Sequence, residues 1–341
     1  MTPYADLPEK AFWKSGVARA DPMTIEGLYT RKFEIRPQDR IVTAGSCFAQ
    51  HITGALRQNG YRIVDVEPGP PWLDKAALGA HGYGQFSARY GNVYTARQLL
   101  QLAREAFEGF EPSETAWMRK NRFYDAQRPG VDPNGMDTEE EVRAVRADHL
   151  AKLRQMFAEM NVFIFTLGLT EAWMDADGTT VFPTAPGVIA GQWDPEKYRF
   201  ENFTQAQVVA DVRAFLDLIR THNKHVKVIL TVSPVPLTAT AAGGHVLSAT
   251  TYSKSVLRAA AGELSGADDA IDYFPSYELI ASPFSRGAFF EGNLRGVTGT
   301  GVQAVMRMFF AQHPPLGTSE DAALEEMDLN CEEELLEAFA R

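Results

Sequence analysis

A chain of 341 residues that is 45% hydrophobic can bury a large core, either as one big α/β domain with insertions or as two smaller ones. Its 33 Lys and Arg against 44 Asp and Glu give a formal net charge of -11, and no stretch gathers basic residues, which argues against nucleic acid or an anionic membrane as partner. The two cysteines, Cys47 and Cys331, form no CxxC pair, no uncharged apolar run could span a bilayer, and the opening lacks an apolar leader core, so a soluble cytoplasmic protein is expected.

Residues 1–38 mix prolines, charges and isolated aromatics such as Trp13, Tyr29 and Phe33, a composition expected to wrap over the domain surface rather than join a sheet. Arg40–His51, RIVTAGSCFAQH, then reads as a strand, a tight turn at Gly45-Ser46-Cys47 and the start of a helix. Phe48, Ile52, Ala55 and Leu56 carry that helix to Asn59-Gly60, and 61–66 reads as a second strand. Residues 67–92 are rich in Gly, Pro and aromatics, which suits either an ordered loop near a site or a plain surface loop. Thr95 N-caps a helix over 96–107, and 110–138 shows neither helical nor strand periodicity, so it reads as an aromatic-rich insertion that could cap the active-site edge. Thr138 with Glu141 opens a helix to about 160, followed by a strand over 162–166. A small β excursion over 168–201 turns at Asp177-Gly178. The spacing of Val208, Val212, Phe215 and Ile219 predicts a helix, 226–232 a buried parallel strand, 250–264 a helix, 270–274 a strand and 301–310 a closing helix. Alternation of this kind predicts a parallel sheet of about five strands covered on both faces. In the acidic tail, 319–341, Leu324, Met327, Cys331, Leu335 and Phe339 recur at helical spacing, so the tail either docks an amphipathic helix on its own body or binds a basic partner.

Cys47 stands where a sheet ends and a helix begins. There the helix dipole favours thiolate, and the amides of the first turn could hold an oxyanion, although a lone cysteine is also a common small core residue. His245 follows the strand over 226–232 and therefore belongs to the same sheet edge as Cys47; His51 lies one helical turn below the thiol. Either imidazole could withdraw the thiol proton, and His245 is the better placed, because a loop can swing its side chain over the site. Glu171 and Glu278 also follow strands and could orient an imidazole or act as acid and base. Lys254, in Tyr252-Ser253-Lys254-Ser255, could pair with an anionic substrate group, as could Arg295, or each could make a surface salt bridge. Apart from His222 and His225 no metal-ligand spacing occurs, and no phosphate loop or dinucleotide fingerprint follows a strand, so neither metal nor cofactor is expected beyond a possible acyl donor.

Gly45-Ser46-Cys47-Phe48-Ala49 resembles the signature of the GSCFA family, a branch of the SGNH (GDSL-like) esterase and acetyltransferase superfamily, and the blocks at 90–95, 166–173, 232–237 and 273–278 follow in the family's order. The resemblance implies a three-layer, flavodoxin-like SGNH fold, with Cys47 in place of the superfamily's serine and Ser46, Gly168, Thr170 and Tyr277 around the site. Thr170 stands where the superfamily has its oxyanion Asn, so Asn92 is the candidate replacement, with a plain turn residue as the alternative. The superfamily's late Asp-x-x-His is absent from Asn293–Gly299. Two functions remain open. One is acyl transfer, by an esterase or O-acyltransferase acting through Cys47 on an acylated sugar or small metabolite, as the family's occurrence among bacterial polysaccharide-modifying proteins suggests. The other is a catalytically silent relative that binds a glycan or protein partner in the same cleft.

Overall fold

The computed structural model describes residues 2–317 and 332–340. The apolar run Ile41–Gly45 forms β1, and after a two-residue turn α1 runs from Phe48 to Gln58. The loop beyond it carries a short α2 (Lys75–Ala80), opened by the Asp74 carboxylate, which accepts from the Ala77 amide. Thr95 caps α3 (Ala96–Glu108), and left-handed Gly109 ends it. A hairpin, β2 (Ala116–Arg119) and β3 (Arg122–Asp125), leads to α4 (Glu139–Glu159) and β4 (Val162–Leu167). Next comes an antiparallel sheet of β5 (Glu171–Asp175), β6 (Val181–Phe182) and β7 (Tyr198–Asn202). The chain then alternates through α5 (Gln205–His222), β8 (Lys227–Val232), α6 (Val246–Ala267), β9 (Ile271–Phe274), α7 (Ser276–Ala281) and α8 (Gly299–Gln312).

The result is a mixed α/β structure built on a four-stranded parallel sheet ordered β1-β4-β8-β9. Side chains alternate along each strand, and the two sets enter different cores. Val42, Phe163, Phe165, Val228 and Leu230 pack with α3, α4, α5 and α6, while Ile41, Ile164, Ile229 and Phe274 pack with α1, α7, α8 and with Tyr29 and Ile35 of the N-terminal stretch. Tyr29 is fastened there, its hydroxyl donating to Asp272 at 2.9 Å. No helix among the described residues is long and apolar enough to cross a membrane.

Three sequence expectations need correction. The strand expected over 61–66 shrinks to one parallel bridge, Ile63 to Ile41, because the chain then turns away, with the Asp65 carboxylate accepting from the Glu67 amide at 3.1 Å. The insertion holds a hairpin that periodicity does not reveal, with Lys120 and Asn121 both at positive φ in its two-residue turn. The tail's apolar spacing does not dock as expected: Glu332–Phe339 is a 3-10 helix that buries Glu332 and leaves Leu335 and Phe339 exposed. Leu324, Met327 and Cys331 lie outside the described residues.

Behind the sheet edge, buried charges tie the elements together. Arg146 of α4 reaches Glu105 of α3 at 2.5 Å and Asp125 of the hairpin at 3.2 Å, Arg128 meets Asp125 at 2.7 Å, and His149 meets Glu67 at 2.7 Å.

Candidate active site at the sheet's carboxyl edge

Since β1, β4 and β8 run parallel, the segments that follow them meet at one edge. The bridge at Ile63 lies on one side of β1 and β4 on the other, so connections diverge between β1 and β4, where open α/β sheets form their ligand crevice. Cys47 follows β1 and Gly168 follows β4, one on each side of that point.

Gly45 makes the turn possible. Its φ is +145°, and a Cβ there would lie 2.5 Å from the Thr166 carbonyl oxygen and 2.9 Å from its nitrogen, so only glycine lets the two strand ends approach. Cys47 then becomes the N-cap of α1, buried at 4% exposure, at the positive end of the helix dipole. Gly168 packs as closely: a Cβ on it would meet Tyr94 O at 3.0 Å and Ser46 Cβ at 3.1 Å. Its amide donates to Tyr94 O at 3.0 Å, and the Ser46 amide donates to Thr166 O at 3.3 Å, so neither is available to an oxyanion. The Ser46 hydroxyl is buried with no hydrogen-bond partner among the described residues.

Asn92 lies in the loop tied to β1 by the bond from the Val93 amide to Gly45 O. Its main-chain oxygen accepts from Gln98 Nε2, which fixes the loop, and its side-chain amide lies between Gln50 Nε2 at 3.4 Å and Glu332 Oε2 at 3.5 Å. Lys254 comes from α6, fully buried, and its Nζ donates to Gly168 O at 2.6 Å. Burial pushes its ammonium well below the usual lysine range, while the Glu333 carboxylate and the Cys47 thiolate pull it back and Arg295 adds to the depression. Lys254 is thus electrostatically linked to the nucleophile candidate.

The tail closes over these groups. Glu332 takes hydrogen bonds from Asn92 and Tyr94, yet burial raises its carboxyl to about 7. Glu333 is raised by burial too, against the pull of Arg295 and Lys254. Arg295 NH2 lies 3.8 Å from Glu333, and NH1 lies 3.6 Å from Glu337. A cleft of about 180 Å³ remains, lined by Tyr94, Leu169, Glu171, Thr240, Glu333 and Leu336.

The other expected residues have different employment. His245 is exposed at the N-cap of α6, and its Nδ1 accepts from the Leu247 amide at 3.1 Å. His51 packs edge-on against Phe48 and is lowered by burial to about 4, so it is neutral at pH 7. Thr170 donates to Asn202 Oδ1 at 2.7 Å, anchoring the start of β5 to the end of β7. The Glu171 carboxylate accepts from Thr240 Oγ1 at 2.6 Å and from the Ala241 amide, holding the loop after β8. Glu278 pairs with Arg258 at 2.5 Å and accepts from Tyr273 OH at 2.8 Å, and Tyr277 is half-buried beside it. The structure therefore brings Cys47, Ser46, Asn92, Gly168 and Lys254 together, with Glu171 at the cleft wall, and places Glu278 and Tyr277 in a separate cluster after β9. Tyr94 joins the site from the block at 90–95 without being singled out within it, and Glu332 and Glu333 join it unannounced by any motif; burial of a carboxylate is visible only in three dimensions. A groove of about 720 Å³ between the hairpin and α4 contains none of these residues. Among the described residues no group of three or more His, Cys, Asp or Glu is arranged to hold a metal ion.

Residues 40–309 match the model of the GSCFA family. The chain belongs to the GSCFA family. The match runs from the residue before β1 into the last turns of α8, so it takes in the GSCFA turn, the Asn92 loop, Gly168, Lys254 and Arg295. The tail that covers them lies beyond it. No curated protein and no solved structure matches the chain.

Proposed function

We propose that this protein is an acyl-transfer enzyme of SGNH type, an esterase or O-acyltransferase, in which Cys47 forms a thioester with the acyl group of a sugar or small-metabolite ester. The observation that carries the reading is the fully buried Lys254, depressed toward the range in which a thiol titrates and linked electrostatically to Cys47 at a helix N-terminus. In this reading the thiol proton passes to Lys254 Nζ in its neutral amine form, which burial favours. The thiolate then attacks the acyl carbonyl, the C–O bond to the alcohol breaks, and the departing alkoxide takes the proton from Lys254. Water or an acceptor hydroxyl repeats the sequence in reverse, releasing the acid or a new ester and restoring the thiol. Asn92 Nδ2 and the first amides of α1 would face the tetrahedral oxyanion, a contribution of about 3–4 kcal/mol for a well-placed donor. The sheet order with Ile63 counted as a strand is that of flavodoxin-like folds, which supports the three-layer SGNH assignment. His245 enters only if the loop after β8 moves, since its ring now caps α6.

Incubation with activated acyl esters and intact-mass analysis tests the reading. An acyl adduct is expected that maps to Cys47 and disappears in Cys47→Ala together with turnover. Unchanged turnover in Cys47→Ala would dismiss it in favour of a catalytically silent binder.

A further inference from the structure

The candidate site is occupied by the chain itself, and what occupies it is acidic. Two consecutive carboxylates from residues 332 and 333 sit among groups contributed by separate parts of the fold. Asn92 and Tyr94 come from the loop after residue 89, Lys254 from α6, and Arg295 from the loop before α8. Glu332 and Glu333 sit at two chemically different places. The Glu332 carboxylate oxygen lies on Asn92 Nδ2 at 3.5 Å, the donor that would meet an oxyanion. Glu333 lies against Arg295 NH2 at 3.8 Å, with Glu337 3.6 Å from NH1, and within the field of Lys254. Arg295 is built for an anion: its side chain is 12% exposed, its Nε is anchored on Pro236 O at 3.2 Å, and its NH2 has no hydrogen-bond partner among the described residues. An anchored, buried guanidinium with a donor to spare is costly to keep unless an anion uses it. Hydrophobic packing is a small part of the docking, because of the segment's large apolar residues only Leu336 reaches the cleft, while Leu335 and Phe339 face solvent and the glutamates go inside.

We propose that Arg295 and Lys254 form a carboxylate subsite of this active site, that Glu332 and Glu333 are its internal occupants, and that the ester accepted in their place carries a carboxylate. The proposal rests on the acyl-transfer reading for the word substrate and on the Arg295, Lys254 and Asn92 geometry for the subsite itself. Displacement of the tail and entry of the acidic ligand are then one exchange, carboxylate for carboxylate.

The test uses the full chain with the two glutamates reversed in charge, Glu332→Lys with Glu333→Lys, which sets cations against Lys254 and Arg295 and expels the segment. Acetyl-Glu-Glu-amide and its uncharged counterpart acetyl-Gln-Gln-amide are titrated calorimetrically. The acidic peptide is expected to bind the reversed variant at least tenfold more tightly than it binds the parent, the amide peptide to gain nothing, and Arg295→Met added to the variant to remove the gain. Equal binding of both peptides, equal binding to parent and variant, or indifference to Arg295→Met would each overturn the subsite. Peptide binding does not need the thiol, so selective binding by a protein whose Cys47 forms no acyl adduct would remove the acyl-transfer reading and leave the subsite standing.

Discussion

Burial of Lys254 withdraws its ammonium from water, and its compensation among the described residues is the Gly168 carbonyl together with the negative groups Glu333 and Cys47. Removing the cation alone leaves the Gly168 carbonyl and the Glu333 carboxylate without it, a loss of about 3–5 kcal/mol for a broken buried pair, and the thiol loses the charge that favours its ionised form. Lys254→Met should therefore melt below the parent, and the midpoint of Cys47 alkylation against pH should move up by about one unit or more, a field change worth about 1.4 kcal/mol. A lowered melting temperature with an unmoved midpoint would make Lys254 a structural residue. Cys47 is legible in the sequence because an apolar run, a glycine and a helical run mark the turn that presents it. Lys254 is legible only as a basic residue on the right edge, since its burial depends on a loop contributed from β4. His245 illustrates the opposite error: it follows a strand as expected, but α6 begins at Val246, four residues earlier than its apolar spacing indicates, and the imidazole becomes the cap.

Among the elements, the 3-10 helix Glu332–Phe339 has the most conditional place. Glu332 is raised to about 7 by burial, and Glu333 is raised as well, so the docked segment holds protons that the free segment would release. The sign follows: docking is fullest below the ordinary glutamate pKa near 4.5 and is lost as pH rises through about 7. The groups that face the two carboxylates are Asn92 and Tyr94 on one side, Arg295, Lys254 and the linked Cys47 on the other, and Glu171 and Glu334 as like charges. Cleavage after Glu332–Glu334 by a glutamate-specific protease, divided by the rate on a free peptide of the same sequence, is expected to climb from pH 6 to pH 8. A flat ratio would mean that burial of these carboxylates does not govern docking. Sequence patterning misplaces this element because acidic residues on a tail read as solvated and apolar ones as docked; the fold reverses both by offering a cationic, hydrogen-bonding edge. The hairpin in the insertion is hidden for another reason. Its turn is Lys120-Asn121, and a lysine at positive φ is not a signal that composition supplies, whereas Asp177-Gly178 announces the turn after β5 plainly. The strands β1, β4, β8 and β9 and the long helices are legible, since unbroken apolar runs and, for α3 and α4, capping threonines mark them, whereas α2, α7 and the fate of 61–66 are not.

Over the whole molecule, three histidines are folded in the neutral form. His51 is lowered by burial to about 4, His149 by burial and Arg128 to about 4, and His313 by burial and Arg31 to about 4. An unfolded chain would protonate them near 6.5, so it binds more protons than the folded one between about 6.5 and 4, and stability falls as pH drops through that window. Glu67 contributes later: burial opposes its ionisation, but the bond from His149 and the charge of Arg128 hold it at about 2, so its share is lost only below about 4.5. The urea midpoint should decline steadily from pH 7 to pH 5, and more shallowly in His149→Gln. A midpoint unchanged over that range would mean that these imidazoles titrate alike in both states. The seat of residues 332–340 on the site has a kinetic and practical meaning of its own. A segment joined to the body through its own chain competes for the cleft as if dissolved at about millimolar concentration, however dilute the protein. Any external acid must displace that standing local competitor, so its affinity measured on the intact chain will understate its affinity for the cleft, and dilution of the protein will not relieve the difference.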